Sequence, residues 1–112
     1  MRHALRSPSE TAERENRMIR NVVMGRLKPG ADADRLDEGL AGIVGLKIEG
    51  MTDVKVGRDA GLRAGNWDFT ITADFADVAA YRAYDEDEEH NRLRREIFGP
   101  LSEEIARIQI EF

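Results

Sequence analysis

Residues Asn66–Phe75 read NWDFTITADF and alternate strictly between apolar and polar side chains. The apolar set consists of Trp67, Phe69, Ile71, Ala73 and Phe75. Successive side chains of an extended strand point to opposite faces, so this period of two predicts a half-buried strand. No other segment carries as much aromatic mass at strand spacing. We therefore expect this strand to lie inside a sheet, with helices packed on its apolar face.

Two more strands are predicted on the N-terminal side of this stretch. The segment Met18–Lys28 alternates with apolar side chains on both faces, which is typical of a strand covered on both sides. The segment Met51–Arg58 follows, with Val54 and Val56 directed at the core. A loop from Asp59 to Gly65 contains two glycines and is expected to connect it to the aromatic strand as a hairpin.

A fourth strand is predicted at the C-terminus. Its apolar residues, expected to face the core, are Ile105, Ile108, Ile110 and Phe112. The polar residues between them, expected to point outward, are Arg107, Gln109 and Glu111. The pair Gly99-Pro100 is expected to end or kink the helix that precedes this strand, because proline cannot continue a helix without losing a hydrogen bond.

Helical periodicity appears between these strands. Asp32 or Asp34 can cap a first helix, whose apolar stripe is Leu36, Leu40, Ile43 and Val44. Three glycines weaken this helix, and we expect them to permit close packing on the sheet. Asp77 can cap a second helix. Its candidate inward positions are Val78, Ala79, Tyr81 and Tyr84.

A third helix follows the five consecutive carboxylates Asp85–Glu89. Such a run is typical of a solvated junction between helices, because the charges repel one another. On a helical projection His90 falls on the same side as Ile97 and Leu101, with Leu93 nearby. We therefore expect His90 to point inward.

The predicted order β-α-β-β-α-α-β indicates an α+β fold. It is typical of the ferredoxin-like arrangement, a four-stranded antiparallel sheet with helices on one face. The alternation places Val22, Met24, Thr70, Thr72 and Gln109 on the opposite, open face. This face is too apolar to be left in water, so we expect a homodimer packed sheet to sheet through it, a dimeric α/β barrel.

Length and composition limit the possible functions. A chain of 112 residues has room for one domain, which we place at residues 18–112. The polar, mixed-charge residues 1–17 are expected to form a flexible arm; the alternative is an arm that reaches onto a partner subunit. The net charge of -5 argues against nucleic acid and anionic membrane surfaces, and gives no steering of acidic substrates.

No cofactor or metal is expected from the sequence. There is no cysteine, which excludes thiolate chemistry and fits a cytoplasmic location. Only His3 and His90 could supply imidazole, and neither has a carboxylate at convincing ligand spacing. The chain has neither a secretory signal core nor an apolar run near the roughly 20 residues that a membrane-spanning helix needs.

Short motifs follow one another along Met18–Phe112 in a particular order. They are MIRNVV at 18–23, LKPG at 27–30, VGRD at 56–59, GNWDF at 65–69, DF at 74–75, and Tyr84 with His90. Together their order and spacing resemble the stress-responsive α/β-barrel (Dabb) domain. The resemblance implies a ferredoxin-like protomer of the dimeric α/β-barrel superfamily, in agreement with the fold predicted from the alternation.

The resemblance also implies a site. The family includes plant heat-stable proteins, bacterial members without assigned activity, and a plant polyketide cyclase that closes a ring by aldol chemistry without a cofactor. In that cyclase a tyrosine and a histidine six residues later act at the pocket, and Tyr84 and His90 keep this spacing. Two positions depart from the cyclase: Asn21 replaces a first-strand histidine, and Asp87-Glu88 replaces a His-Pro pair.

Two roles are open for Tyr84 and His90. The imidazole can act as a general base and the phenol can stabilise a developing enolate or phenolate oxygen. Alternatively, both are core residues, with the imidazole bonded to a backbone carbonyl. In one unbroken helix the two side chains would lie about 120° apart and about 9 Å apart along the axis, so they converge only if the chain breaks within Asp85–Glu89.

Three functions follow as hypotheses. The leading one is a homodimer that binds a small, largely apolar molecule in a pocket between sheet and helices, lined by Asn21, Trp67, Tyr84 and His90. The second is a cofactor-independent cyclase, isomerase or lyase with His90 as base and Tyr84 as oxyanion donor. The third is a purely structural, stress-stable oligomer, which an interior without a cavity beside His90 would favour.

Overall fold

The computed structural model describes residues 17–112, so the predicted N-terminal arm lies outside the described residues, Arg17 excepted. The elements are β1 (Ile19–Leu27), α1 (Ala33–Val44), β2 (Met51–Arg58), β3 (Phe69–Phe75), α2 (Val78–Glu86), α3 (Glu88–Leu93), a π-helical turn (Arg94–Phe98), α4 (Gly99–Leu101) and β4 (Ser102–Glu111). The predicted order of strands and helices is confirmed. The third predicted helix is divided into three consecutive segments.

The four strands form one sheet in the order β2-β3-β1-β4, and every neighbouring pair is antiparallel. The helices cover one face, so the predicted ferredoxin-like α+β fold is confirmed. The central strands β1 and β3 supply buried side chains to the helix-covered face, among them Ile19, Phe69, Ile71 and Phe75. None of the helices formed by residues 17–112 is long and apolar enough to cross a bilayer.

β3 begins at Phe69 and not at Asn66 as predicted. The carboxylate of Asp68 accepts a hydrogen bond from the backbone N–H of Leu27 at 2.7 Å. The side chain of Asp68 therefore binds the N–H of Leu27, which would otherwise donate to a backbone carbonyl of a longer β3. Trp67 consequently belongs to the loop before the strand.

From Arg107 to Glu111 the side chains of β4 point the opposite way from the prediction, whereas Ile105 faces the helices as predicted. Gln109 pairs with Asn21, which is buried beneath the helices, so Gln109 also lies on the helix side. Ile108 and Ile110 lie on the open face, where 59% and 45% of their surfaces are exposed. The register with β1 decides this phase, because alternate residues on a strand must face opposite ways. The helix side of β4 carries Ile105, Arg107, Gln109 and Glu111.

Asp32 caps α1, and its carboxylate accepts hydrogen bonds from the N–H groups of residues 34 and 35. Leu36, Leu40 and Ile43 of its predicted stripe are buried, but Val44 is 54% exposed because the helix ends there. Asp77 caps α2 as predicted. Of the predicted inward positions of α2, Ala79 is wrong: it is exposed, while its neighbour Ala80 is buried.

The glycines of α1 pack against helices and not against the sheet. A Cβ at Gly39 would lie 2.7 Å from Ile97, and one at Gly42 would lie 2.9 Å from Leu93. Such distances are too short for real Cβ contacts, so the small residues allow α1 to approach α3 and the π-helical turn closely. The prediction that these glycines pack on the sheet is wrong, because they pack on the neighbouring helical segments.

The C-terminal helical path continues through Gly99-Pro100 before it ends at Leu101. The N–H of Gly99 donates to the carbonyl oxygen of Arg94, five residues back, which closes the π-helical turn. Pro100 then lies at the start of α4, where a missing N–H leaves no hydrogen bond unmade. The predicted kink thus takes the form of a widened turn, a feature often found at functional sites.

Candidate functional site

A cavity of about 490 Å³ lies between the helix-covered face of the sheet and the helices α2 and α3 with the π-helical turn. Its apolar wall is formed by side chains from β1, β3 and the π-helical turn, including Val23, Phe69, Ile71 and Phe98. Asn21, Tyr84 and His90 add polar groups. The structure therefore brings three of the four predicted ligand-binding residues to one cavity.

Tyr84 and His90 converge because the chain breaks at Asp87, which has an extended backbone with φ -63° and ψ 133°. The break lies within Asp85–Glu89, the segment in which a break was predicted to be necessary for the two side chains to meet. The phenol and imidazole rings stack with centroids 3.9 Å apart and planes 25° apart. The two side chains form one aromatic surface that borders the cavity.

The acidic junction is bonded as well as solvated. The carboxylate of Asp87 accepts a hydrogen bond from the backbone N–H of His90 at 2.9 Å, which caps α3. The side-chain amide of Asn91 donates to the carbonyl oxygens of Asp85 at 3.1 Å and Asp87 at 3.0 Å. These bonds fix the angle between α2 and α3, and thereby the position of His90.

His90 is 6% exposed, and its Nδ1 is buried without a hydrogen-bond partner in the part of the chain that the structure describes. Burial lowers the pKa of the imidazole below its ordinary value, and a hydrogen bond with the backbone of Tyr84 partly opposes that change. The imidazole is consequently neutral at pH 7. A neutral imidazole can accept either a hydrogen bond or a proton.

Tyr84 is buried as well, and burial raises the pKa of its phenol to about 12. The phenol therefore stays protonated at any physiological pH. A protonated phenol beside a neutral imidazole places a hydrogen-bond donor next to an acceptor. This is the pair that proton transfer at a carbon next to a carbonyl group requires.

Asn21 is 3% exposed and lies at the first-strand position of the cavity. Its Oδ1 accepts a hydrogen bond from the side-chain amide of Gln109 at 2.8 Å. Gln109 was expected on the open face. Because it faces the helices instead, its side chain can reach Asn21. The oxygen of Asn21 is thus already used, which leaves its NH₂ group for a ligand oxygen.

Trp67 does not line this cavity. The guanidinium carbon of Arg26 lies 4.4 Å from the centroid of the Trp67 ring, a cation-π contact. Arg26 is in phase with Val22 and Met24, so this contact lies toward the open side of the sheet. The structure therefore separates Trp67 from the other three predicted residues.

Arg94 and Arg107 line the cavity and were not predicted there. Arg107 was read as an outward residue of β4, yet it is in phase with Ile105, which was read as inward. Arg94 follows His90 by four residues, which places the two on one side of a helix. The helical period would have indicated Arg94, whereas the position of Arg107 depends on the phase of β4, which its register with β1 sets.

Within the described part of the chain, no group of three or more His, Cys, Asp or Glu side chains is placed to hold a metal ion. The polar side chains that line the cavity carry imidazole, phenol, amide and guanidinium groups and the carboxylate of Asp85.

Solved structures of several proteins are similar to this chain. A dimeric ferredoxin-like protein of unknown function from Thermobifida fusca has a TM-score of 0.79 at 24% identity, over 88% of this chain and 93% of that one. The hydroxynitrile lyase from Passiflora edulis has a TM-score of 0.74 at 21% identity, over 87% of this chain and 94% of that one. At these identities the likeness concerns the fold.

A Dabb family protein with a ferredoxin-like fold from Mesorhizobium loti has a TM-score of 0.68 at 25% identity, over 84% of this chain and 95% of that one. No match was found among curated proteins. The family model of the stress responsive A/B barrel domain matches residues 19–112, nearly the whole of the described chain. This chain therefore belongs to the stress responsive A/B barrel domain (Dabb) family.

Proposed function

We propose that this protein is a homodimer that binds a small, largely apolar molecule in the cavity beside Tyr84 and His90. The observation that carries the proposal is the cavity itself, about 490 Å³ with a mainly apolar wall and a few convergent polar groups. Pockets for small molecules have this size and this character. A purely structural oligomer would not need such a cavity next to its buried histidine.

A neutral aromatic ketone, 1-acetonaphthone, tests the proposal in an isothermal titration. We expect the wild-type protein to bind it, and the variant Val23→Phe to bind at least about tenfold more weakly, because Val23 lines the cavity and a larger ring would fill it. Val44→Phe is the matched control, since Val44 is exposed on α1 away from the cavity. Equal binding by Val23→Phe, or none by the wild type, would contradict the proposal.

The open face of the sheet supports the homodimer. Val22 of β1 pairs with Thr72 of β3 and with Ile108 of the edge strand β4, which gives this face an apolar centre. Four of its large apolar side chains are exposed in the single chain: Met24, Ile108, Ile110 and Phe112. A second copy packed on this face would remove them from water. Three similar solved structures are described as dimeric.

An ion pair on the same face is compatible with burial at an interface. Arg20 donates to both carboxylate oxygens of Asp74, at 2.7 Å and 2.8 Å, and Asp74 is 6% exposed. The guanidinium carbon also lies 4.8 Å from the centroid of the Phe112 ring. The two charges already satisfy each other, so a partner subunit would not leave either one unpaired.

A cofactor-independent enzyme is the second candidate. The stacked pair of a neutral imidazole and a protonated phenol favours it, and a hydroxynitrile lyase is among the similar structures. In the reaction, the C–H bond next to a bound carbonyl group breaks and its proton moves to His90. The electron pair moves to the carbonyl oxygen, which accepts a hydrogen bond from the phenol of Tyr84.

Deuterium exchange tests the enzyme hypothesis. The methyl protons of 1-acetonaphthone exchange in D₂O when the adjacent C–H bond is broken, and the exchange can be followed by NMR. We expect catalysed exchange that falls by about a hundredfold in His90→Gln and in Tyr84→Phe. Exchange no faster than in buffer, despite binding of the ketone, would leave a binding protein without this activity.

A further inference from the structure

The mouth of the cavity carries cationic side chains that no carboxylate of the described residues neutralises. Arg94 and Arg107 are exposed and line the cavity. Among residues 17–112, neither has a carboxylate within ion-pair distance; Arg94 donates only to the side-chain oxygen of Asn91, at 3.2 Å. Arg95, which also lines the cavity, differs because it pairs with Glu88 at 3.4 Å. Two guanidinium groups are therefore available at the same opening.

Both arginines act on the same polar groups inside the cavity. Burial dominates the pKa of Tyr84 and raises it to about 12, while the charges of Arg94 and Arg107 both oppose that rise. The same two charges oppose the rise that burial causes in the pKa of Tyr81. Arg94 and Arg107 come from the π-helical turn and from β4, so the fold brings them together from two elements.

Among residues 17–112, Asp85 is the single carboxylate that lines this cavity. Its charge raises the pKa of both tyrosines and of His90, against the arginines. With Arg95 neutralised by Glu88, the two free guanidinium groups exceed this one carboxylate. The mouth is therefore locally positive, although the chain as a whole carries a net charge of -5.

We infer that the cavity takes a small organic anion, an aromatic or aliphatic carboxylate whose apolar part packs on Phe69 and Ile71 and whose carboxylate binds Arg94 and Arg107. The inference rests on the proposed function and names its ligand class. A guanidinium group presents planar N–H donors that match the two oxygens of a carboxylate. An apolar interior behind a cationic mouth matches a molecule with one charged end.

The negative charge of the whole protein gives an anion no long-range attraction. Recognition must therefore depend on short-range contacts with the arginines. Such contacts are partly desolvated at the cavity mouth, so moderate salt screens them less than it screens fully exposed charges. We expect the preference for an anion to persist at 0.15 M salt.

The test compares 1-naphthoate with 1-naphthamide, which share ring and shape and differ in charge. Isothermal titrations at pH 7.5 and 0.15 M salt should show the naphthoate binding about tenfold or more tightly than the amide. Arg107→Gln should abolish most of that preference, because it weakens naphthoate binding more than it weakens amide binding. Arg63→Gln is the matched control, because it removes the same charge from an exposed loop position. Asp85→Asn should strengthen naphthoate binding.

Each outcome separates the inference from the function on which it rests. If the amide binds as tightly as the naphthoate, the cavity binds neutral molecules, and the inference falls while the proposed function stands. If Arg107→Gln and Arg63→Gln weaken naphthoate binding equally, the effect belongs to net charge, and the inference is again overturned. If neither compound nor the neutral ketone binds to wild-type protein, the proposed function itself is wrong.

Discussion

The imidazole of His90 is buried against the ring of Tyr84, and burial lowers its pKa below the ordinary value of 6.5. In the unfolded chain this group takes up a proton near pH 6.5, whereas in the folded chain it does so only at a lower pH. As the pH falls below 6.5, the unfolded state therefore binds more protons and gains stability relative to the folded state. Above pH 6.5 both states are neutral, and His90 has no effect.

We predict that the free energy of unfolding falls more steeply in the wild type than in His90→Gln between pH 6.5 and pH 5. The contribution of one such group is at most about 1.4 kcal/mol per pH unit. Urea denaturation at several pH values measures it. Parallel pH profiles for the two proteins would show that His90 keeps an ordinary pKa in the folded state.

Gly25 of β1 lies directly against the ring of Phe69 on β3. A Cβ at this position would lie 2.1 Å from the ring of Phe69, whose ring in turn stacks on Phe98 at 5.7 Å. We predict that Gly25→Ala destabilises the protein by about 1–3 kcal/mol or more, because the added methyl group overpacks this stack. Thermal and urea unfolding measure the change.

Gly57→Ala is the control for that variant. Gly57 also lies in a strand with φ outside the left-handed region, but a Cβ there meets no atom within 4 Å. The substitution should be neutral or stabilise the strand by up to about 1 kcal/mol. If both variants lose a similar amount of stability, the cost comes from replacing any strand glycine and not from the contact of Gly25 with Phe69.

The sequence predicted Asn21, Tyr84 and His90 as neighbours, and the cavity brings them together. Periodicity placed Asn21 and His90 on inward faces, and the resemblance supplied the pairing of His90 with Tyr84. Trp67 was assigned to the apolar face by its alternation with Phe69, but the strand begins only at Phe69, so the period does not extend to Trp67, which stacks on Arg26 instead. The arginines at the mouth were missed because a charged side chain was assumed to point outward, whereas a cavity mouth offers it water on the inward face.

At the scale of elements, the break between α2 and α3 decides whether the site exists. A single helix would hold Tyr84 and His90 on different sides, and the extended residue Asp87 brings their rings together. The N-cap bond from the N–H of His90 to the carboxylate of Asp87 fixes the start of α3. Asp87 therefore has a structural role as a helix cap, which the charge pattern of the acidic run did not indicate.

We predict that Asp87→Ala lowers stability by about 1 kcal/mol and weakens the binding of 1-acetonaphthone. The loss of the cap frays the first turn of α3, which carries His90. Asp77→Ala removes the equivalent cap of α2, a bond of 2.8 Å to the N–H of Ala80. It should cost similar stability without affecting the ligand. If both variants bind the ketone as the wild type does, the break does not control the site.

β4 shows why composition can mislead about the phase of a strand. Its isoleucines at 108 and 110 were expected in the core, yet they face the open side of the sheet. A strand that is to be covered on both faces carries apolar residues on both, so its own sequence does not say which face meets the helices. The hydrogen-bond register of Gln109 with Asn21 decides it, and register is not visible in one segment.

For the whole molecule, the corrected phase makes the open face more apolar than the sequence suggested. We predict a dimer at micromolar concentration by sedimentation. Ile108→Glu should convert it to a monomer or raise its dissociation constant at least about tenfold, because a two-fold interface buries the new charge twice. Val44→Glu adds the same charge at an equally exposed valine on α1 and should remain dimeric. A monomeric wild type would contradict this architecture.

The order of elements and the fold followed from alternation and capping, because they depend on patterns within each segment. The cavity did not follow in the same way. It depends on the exact break at Asp87, on the widened turn at Arg94–Phe98 and on the close approach of α1 through Gly39. These features combine several elements, so only the assembled structure gives the space between them.

We propose that the helix-covered side of the sheet holds the ligand and leaves the open side to a second chain. A titration of ¹⁵N,¹³C-labelled protein with 1-acetonaphthone, followed by NMR, shows which side binds the ketone. We expect the signals of Val23, Tyr84 and His90 to shift, while those of Val22 and Ile108 on the open face stay unchanged. Shifts confined to the open face, or no shifts at a saturating concentration of the ketone, would contradict it.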